Sequence, residues 1–371
     1  MKYALVMTTI NIPTILNGYA DNFEKFGKKS EVEFIIIGDR KTPSEAGTVI
    51  EDIKKRGFKA EYLDVTAQEK WLSRFPDLMA MIPYNSDNRR NVGYLLAGER
   101  DADIIISIDD DNYALPNEDY LAGHRFVGIQ KKMKSARSVN NWFNICRLVD
   151  TKPSRIIYPR GFPYCKRWVD TQDYGVTSGR IVMNAGLWLH HPDADAVTNL
   201  NEPVEIVGLN SENVMLSHWT YSPINTQNTA LHIDVLPSYY YILMGAPIEG
   251  SKVDRYGDIW SGFFSSKVIN HMDERITVGM PLADHIRNKH DLLKDLRQEM
   301  WGMILTDYLA PILETIELSG TTYGQAYVDL ANKLEKITTA DEKLNSDAKA
   351  YFTQITKNMR IWVDVCSELM D

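Results

Sequence analysis

Short apolar runs alternate with helix-compatible segments along the first 108 residues, and this alternation limits the folds available to the chain. The apolar runs cover residues 2–7, 32–37, 60–63 and 103–108, and the helix-compatible segments between them cover residues 18–26, 44–56 and 88–98. Strands that are joined through helices pair in parallel, with the helices covering the faces of the sheet. The alternation therefore predicts the α/β class, with a mostly parallel central sheet flanked by helices.

Polar residues follow three of these predicted strands at the point where each strand ends. They are Thr8 to Asn11, Asp39, and the acidic run Asp109-Asp110-Asp111. In open parallel sheets, ligands bind outside the carboxyl ends of the strands. We therefore expect these residues to meet at one edge of the sheet and to form a ligand site there.

Two further regions follow the acidic run. Residues 112–284 contain short aromatic-rich stretches with many Gly and Pro residues, which predicts strands, turns and long loops. From residue 290 onward, apolar residues recur at helical spacing. We expect one domain at 1–289 and a helical region at 290–371 that packs on this domain or on a partner subunit, as in a homo-oligomer.

The overall charge argues against one class of partner. The 371 residues have a formal net charge of -9 and no long Lys/Arg run, so a nucleic-acid backbone would be repelled. The cysteines Cys146, Cys165 and Cys366 form neither a disulfide framework nor a CxxC-type metal motif. The apolar stretch at the amino terminus is too short for a signal peptide or a membrane span. These features favour a cytoplasmic protein without a transmembrane segment.

The acidic run predicts a metal site. Three adjacent carboxylates after a buried strand repel one another, and a divalent cation would relieve that repulsion. Alternate residues of an extended segment point the same way, so we expect Asp109 and Asp111 to face the cation and Asp110 to turn away. Mg²⁺ or Mn²⁺ takes hard oxygen ligands from carboxylates, phosphates and water. The alternative is a solvated turn or a helix cap, since Asp is common in both.

The acidic run also belongs to an ordered set of motifs between residue 12 and about residue 300. They are Ile12-Pro13-Thr14, Phe34 to Asp39, Arg90-Asn91-Val92-Gly93-Tyr94, the acidic run with Ile108 and Asn112, Arg160-Gly161-Phe162-Pro163-Tyr164, Gly186-Leu187-Trp188-Leu189, Pro192 to Ala196, Arg255 to Gly262, and Gly279-Met280-Pro281 followed by His285. In sequence and in order, this set resembles the motifs of the reversibly glycosylated polypeptides, also called UDP-arabinopyranose mutases.

The resemblance implies a GT-A type nucleotide-sugar fold, a UDP-sugar ligand, and Mn²⁺ or Mg²⁺ held by Asp109, Asp111 and His285. His290 is a nearby substitute for His285, and either histidine could instead be structural. Three departures leave the substrate and reaction open. The spacer between Gly93 and Asp109 is longer than in the plant proteins, Gly257 replaces an Asp of the family motif, and the C-terminal region matches poorly.

Two residues are candidates for the chemistry. The resemblance implies an arginine that becomes reversibly glycosylated, and we place it at Arg90. A guanidinium is a poor nucleophile, so Arg90 could instead bind the diphosphate or form an ion pair. Asp258 could act as a base toward an acceptor hydroxyl or cap a helix that begins near Ile259.

Eight further residues are candidates for substrate binding, mostly by resemblance. Asp39 could accept hydrogen bonds from uracil or ribose or could cap the next helix. Arg160 and Arg255 could bind phosphate or pair with local carboxylates, and Trp188 could stack on the ligand or lie in the core. The full set is Thr8, Asn11, Pro13, Asp39, Asp110, Arg160, Trp188 and Arg255.

Three functions remain open from the sequence. The first is a metal-dependent UDP-sugar enzyme, either a pyranose/furanose mutase or a glycosyltransferase with a glycan acceptor, in cell-wall or polysaccharide biosynthesis. The second is a non-catalytic nucleotide-sugar-binding scaffold subunit of a glycan-synthesis complex. The third, a nucleotidyltransferase, is disfavoured because residues 8–17 lack the glycines of a phosphate-binding loop.

Overall fold

The computed structural model describes residues 1–169, 171–287 and 291–370. The expected boundary between 289 and 290 and the alternative ligand His290 lie outside the described residues. The strands are β1 (Tyr3–Thr8), β2 (Val32–Ile37), β3 (Lys59–Leu63), β4 (Ile104–Ile108), β5 (Asn112–Ala114), β6 (Gln130–Ser138), β7 (Val149–Lys152), β8 (Gln172–His190), β9 (Glu205–Leu209), β10 (Val214–Leu216), β11 (Asn228–His232), β12 (Pro247–Ile248), β13 (Ser251–Lys252) and β14 (Arg275–His285).

The α-helices of the described chain fall into two groups. Nine belong to the sheet region, and three long helices form the C-terminal part. They are α1 (Ile15–Lys25), α2 (Ala46–Lys55), α3 (Val65–Leu72), α4 (Pro76–Met81), α5 (Arg90–Glu99), α6 (Tyr120–His124), α7 (Tyr164–Arg167), α8 (Ala196–Asn201), α9 (Gly257–His271), α10 (Leu292–Thr315), α11 (Tyr323–Ala340) and α12 (Ser346–Met370).

The first four strands form a parallel sheet in the order β3-β2-β1-β4. β2 and β4 are rich in β-branched residues, and β4 is buried along its whole length, as expected of a strand covered on both faces. The carboxyl ends of β1, β2 and β4 therefore lie next to one another. This part of the sheet confirms the predicted α/β class and places the three predicted strand ends at one edge.

The sheet continues beyond β4 with mixed strand directions. β11 pairs antiparallel with β4 and with the long strand β8. β8 then pairs antiparallel with β6 through its first half and parallel with β14 through its second half. The expectation of a mostly parallel sheet thus holds for β1 to β4, while the remaining pairings are largely antiparallel because they connect through loops and hairpins rather than crossover helices.

Helix α5 packs closely on this sheet. A Cβ atom on Gly93 would lie 2.5 Å from Val6 Cγ1 and 3.1 Å from Ile37 Cγ1, so glycine lets the helix approach β1 and β2. Both Arg89 and Arg90 precede or begin α5 and are buried. The close packing brings these two arginines to the carboxyl edge of the sheet.

The C-terminal helices share a hydrophobic core with the sheet region of the same chain. Trp362 of α12 donates its indole N–H to the Leu236 carbonyl at 2.9 Å, and Tyr351 donates its hydroxyl to the Leu243 carbonyl at 2.8 Å. Within the described ranges, no helix combines the length and the apolar character that crossing a bilayer requires.

Candidate functional site

A cavity of about 650 Å³ lies at the carboxyl ends of β1, β2 and β4. It is large enough for a drug-sized or nucleotide-sized ligand. Eight of the residues singled out from the sequence line it, namely Thr8, Asn11, Asp39, Arg90, Asp109, Asp110, Asp111 and Arg255. The sheet edge therefore collects most of the predicted polar residues in one enclosure.

All three carboxylates of the acidic run line the cavity. Asp110 accepts hydrogen bonds from Thr9 Oγ1 at 2.6 Å and from Asn11 Nδ2 at 3.0 Å. Asp109 and Asp111 have other partners, Arg90 and His285, so the expectation that these two rather than Asp110 face a cation stays a prediction. The run leaves the extended strand at Ile108, so alternation no longer applies, and the loop after β1 supplies donors that hold the Asp110 side chain.

Arg90 is buried beneath the cavity and is fully engaged there. Its Nη2 lies 2.7 Å from Asp109 Oδ1, and its guanidinium also donates to Thr8 Oγ1, Ser107 Oγ and Thr226 Oγ1. Enclosure by the cavity walls raises the pKa of Asp109 to about 6, against the opposing effect of Arg90. Arg90 thus balances the charge of the acidic run and links β1, β4 and the loop before β11.

His285 approaches the acidic run from the end of β14. Its Nδ1 lies 2.7 Å from the His191 carbonyl, and only an N–H can bond there, so Nε2 of the neutral ring is free to face Asp111. Nε2 lies 3.5 Å from Asp111 Oδ2. Burial disfavours the charged imidazole, but Asp111 and the His191 carbonyl outweigh it and raise the pKa of His285.

Asp111 and His285 are residues of the types that bind a divalent cation. A metal-binding histidine commonly donates its other ring N–H to a backbone carbonyl, as His285 does. In the described parts of the chain, no three His, Cys, Asp or Glu side chains are already arranged around one point. Mg²⁺ and Mn²⁺ take few protein ligands and complete their shell with phosphates and water, so Asp111 and His285 fit such a cation, with Asp109 next to them.

Asp258 and Arg160 do not line the cavity but form a buried ion network behind its wall. Arg160 Nη2 lies 2.6 Å from Asp258 Oδ2, and Arg160 Nε lies 2.8 Å from Asp193 Oδ1. Its Nη1 also donates to the Arg255 carbonyl. The local ion pair that was the alternative for Arg160 is thus present, with Asp193 and Asp258 as partners.

Trp188 and Pro13 also lie away from the lining. Trp188 is 2% exposed and packs in the main hydrophobic core, as expected for an aromatic residue in the buried half of β8. Pro13 is buried just before α1. The position of Trp188 matches the core alternative rather than stacking on a ligand in this cavity.

The loop before α5 adds cavity residues that the sequence did not single out. Asp87 is exposed to the cavity, and enclosure by the walls raises the pKa of its carboxyl. Tyr84 lies between two arginines, with its ring centroid 3.5 Å from Arg40 Cζ and 4.8 Å from Arg89 Cζ. These residues were not singled out from the sequence because no motif marks the segment that precedes the predicted helix at residues 88–98.

Arg89 is the most informative of these additions. It is 2% exposed and its Nε donates to Gln68 Oε1 at 2.7 Å, while Gln68 itself is anchored to the Gly38 and Leu63 carbonyls. Its Nη2 has no hydrogen-bond partner in the structure. A buried donor without a partner is costly, and Arg89 is also one of the residues that line the cavity, so it is a candidate for binding a ligand there.

Comparisons with known proteins agree with the motifs. The model of the family "Reversibly glycosylated polypeptide" matches residues 5–370. UDP-arabinopyranose mutase 2 of Arabidopsis thaliana is 25% identical over 78% of this chain and 74% of its own length. Probable UDP-arabinopyranose mutase 1 of Solanum tuberosum is 26% identical over 78% and 73%.

Among solved structures, the similarity is weaker. Glucosyl-3-phosphoglycerate synthase of Mycobacterium tuberculosis, crystallised with Mn²⁺, UDP-glucose and phosphoglyceric acid, is 14% identical, with a TM-score of 0.43 over 86% of this chain and 81% of that chain. The family match, by contrast, spans nearly the whole chain and confirms the resemblance found in the sequence. The chain belongs to the reversibly glycosylated polypeptide family.

Proposed function

We propose that this protein is an enzyme that binds a UDP-sugar together with Mn²⁺ or Mg²⁺ and acts on the bond between the sugar and UDP. One observation carries the proposal. The loop after β1, the end of β2, the acidic run and Arg90 enclose a single cavity in a chain of this family. The similarity of the chain to proteins named UDP-arabinopyranose mutase favours a pyranose/furanose mutase over a transferase.

Asp39 and Arg89 fit the edge of the uracil ring. Uracil presents an N–H between two carbonyl oxygens, so it needs an acceptor beside a donor. Asp39 would supply a carboxylate, already held by the Ser86 N–H at 3.1 Å, and Arg89, which also lines the cavity, would supply a guanidinium N–H. Cytosine presents an unprotonated ring nitrogen at the same place, where the Asp39 carboxylate would repel it.

The diphosphate fits the acidic run on the other side of β1. Because β2 and β4 flank β1, their ends are separated by two strand spacings, or about 10 Å, which the ribose would span. Asp111 and His285 would hold the cation, with Asp109 as a further oxygen ligand. When bound, the cation would stabilise negative charge on the departing UDP.

The residues of this chain define the rest of the chemistry. Arg90 is bound on several sides and buried, so we assign it to holding Asp109 and the cavity floor rather than to covalent attachment of a sugar. In a mutase, the bond from the anomeric carbon to UDP breaks and UDP keeps the electron pair. As that bond breaks, the oxygen of a second hydroxyl of the sugar bonds to the anomeric carbon and loses its proton. The same phosphate oxygen then bonds again to the anomeric carbon while the original ring C–O bond breaks, and the released ring oxygen takes up the proton, so neither an acceptor nor water is consumed.

Incubation with UDP-arabinopyranose and Mn²⁺ tests the reaction. A mutase forms UDP-arabinofuranose without an acceptor, detected by chromatography. Transfer to an added glycan would instead indicate a glycosyltransferase. Binding of UDP without turnover of any UDP-sugar would contradict the enzyme proposal and support the scaffold subunit.

Base selection provides a second test. We expect UDP to bind more tightly than CDP, and Arg89→Met to reduce this preference about tenfold or more, since one hydrogen bond to a charged group is lost. Arg74→Met is a matched control because Arg74 is about half exposed and pairs with Glu99 outside the cavity. Equal affinities for UDP and CDP in the wild-type protein would refute the assignment of Asp39 and Arg89 to the base.

A further inference from the structure

One face of the C-terminal helix α10 packs on the chain segment 254–260 that forms part of the cavity wall. The face consists of Asp295, Glu299, Gly302 and Thr306, at spacings of four, three and four residues, so these positions lie in one row along the helix. All four positions are buried. The region that matched the family motifs poorly in the sequence therefore contacts the candidate site.

The C-terminal half of this row, Gly302 and Thr306, packs closely against the segment 254–260. A Cβ atom on Gly302 would lie 2.2 Å from the Tyr256 ring, so glycine is needed for the close approach. Trp260 donates its indole N–H to Thr306 Oγ1 at 2.9 Å. These contacts fix the position of the segment relative to α10.

The N-terminal half of this row, Asp295 and Glu299, forms ion pairs with Arg255. Glu299 Oε1 lies 3.1 Å from Arg255 Nε, and Asp295 Oδ1 lies 3.4 Å from Arg255 Nη1. The Glu299 side chain is only 1% exposed, and its second oxygen accepts the backbone N–H of Ala196 at 2.8 Å. A buried carboxylate is costly unless it is paired, so Glu299 and Arg255 constrain each other strongly.

Arg255 itself is built into the wall in an unusual backbone conformation. Its φ is 62°, in the left-handed region that is unfavourable for residues other than glycine. Its carbonyl accepts from Arg160, and its N–H donates to Asp254 Oδ1 at 2.9 Å. A strained residue persists where its surroundings over-determine it, and here the surroundings include α10.

Arg255 is a candidate partner of the diphosphate. Its side chain is 27% exposed and lines the same cavity as the acidic run. Asp258, three residues further on, is close enough to Asp109 for their charges to interact. A guanidinium at this wall can form bidentate hydrogen bonds with a phosphate.

We propose that Glu299 is a positioning residue that acts through Arg255, holding its guanidinium toward the diphosphate of the ligand. The C-terminal helix is then part of the binding site. This inference rests on the proposed binding of a UDP-sugar, and it assigns to α10 a role in recognising phosphate that is separate from recognition of the base.

Binding of UDP and of uridine, measured by calorimetry with MnCl₂, tests the inference. Uridine has the base and ribose but no phosphate, so a residue that positions Arg255 affects UDP only. Glu299→Gln keeps the side-chain volume and should weaken UDP binding by about tenfold, while uridine binding is unchanged. Arg255→Lys should do the same, because an ammonium cannot reproduce the guanidinium fork.

The matched control is Glu314→Gln on the same helix. Glu314 is also poorly exposed and paired, with Trp142 and Lys166, but it does not line the cavity. We expect no change in either affinity for this variant. The double variant Arg255→Lys with Glu299→Gln should bind UDP about as weakly as Arg255→Lys alone, since both changes act on one contact.

Three results would overturn the inference. Glu299→Gln could bind UDP as tightly as the wild-type protein, it could lose UDP and uridine affinity equally, or the two single changes could be additive. Thermal unfolding of each variant separates loss of binding from loss of folding. Failure of the wild-type protein to bind UDP would instead refute the proposed function, and the inference with it.

Discussion

Arg160 lies between two buried carboxylates, and its replacement by methionine should strongly destabilise the fold. Arg160, Asp193 and Asp258 are 7%, 8% and 6% exposed, and four N–H···O contacts of 2.6 to 3.1 Å join them. Removing one partner of a buried ion pair costs about 3–5 kcal/mol because a charge is left without compensation. Asp193 keeps a hydrogen bond from Asn225 at 2.6 Å, so we expect a loss of about 4 kcal/mol at pH 7.

The loss should depend on pH in a defined direction. Burial opposes the charged form of Asp193, but Arg160 outweighs it and lowers the pKa of that carboxyl. This stabilisation is present above the ordinary aspartate pKa of 3.8 and disappears as the pH falls through the lowered value. Without Arg160 the buried Asp193 carboxylate should bind a proton more readily, so the difference between variant and wild type should shrink as the pH falls from 7 to 5.

Urea unfolding at both pH values measures these effects. Arg137→Met is the control, because Arg137 and Asp173 form an exposed pair, 67% and 50% exposed, and its loss should have no measurable effect. Combining Arg160→Met with Asp193→Asn and Asp258→Asn should recover much of the stability. If Arg160→Met lowered the free energy of unfolding by less than about 1 kcal/mol, or if its effect grew toward pH 5, the description of Arg160, Asp193 and Asp258 as a buried, mutually dependent ion network would be refuted.

Two further predictions concern packing and charge elsewhere in the fold. Gly93→Ala should lower the free energy of unfolding in urea by about 1–3 kcal/mol, because the new methyl group would lie 2.5 Å from Val6 Cγ1. The control Gly18→Ala in α1 has open space around the new methyl group and should raise it by roughly 0.5–1 kcal/mol. Equal effects of the two changes would contradict the close packing of α5 on the sheet. Burial lowers the pKa of Lys267 to about 8, so the unfolded chain binds the proton more tightly and wild-type stability rises between pH 8 and 10.5. Lys267→Met should therefore stabilise by about 1–2 kcal/mol at pH 7, a discounted figure because the Trp219 ring partly compensates the ammonium, and a gain that did not diminish toward pH 10.5 would refute the assignment.

Local patterns in the sequence predicted the amino-terminal half of the fold well. The strand at residues 32–37 has the predicted bounds, β3 and β4 differ from theirs by one residue at the start, and β1 is shifted by one residue at both ends. β1, β2 and β4 are almost fully buried and helices join the successive strands, so hydrophobic runs and chain order are sufficient to predict them. The strands after residue 112 could not be ordered, because their pairings join distant segments of the chain through loops.

The candidate site shows the same division. Thr8, Asn11, Asp39 and the acidic run could be found because each directly follows a recognisable strand. Asp87, Tyr84 and Arg89 were missed because no motif includes them, and their role depends on which side chains surround them. Gln68, for example, anchors Arg89 from another helix, 21 positions away.

The sequence by itself determined the class of the fold, the family, and the edge of the sheet where the polar residues gather. These depend on short-range periodicity and on chain order, which a parallel sheet converts directly into neighbouring strand ends. Only the tertiary structure decided which carboxylates are paired. It turned Asp110 toward the loop after β1, buried Asp258 on Arg160, and brought Glu299 to Arg255 across 44 positions. Such pairings follow from burial, since a charge removed from water requires a partner and only the folded chain determines which one is within reach.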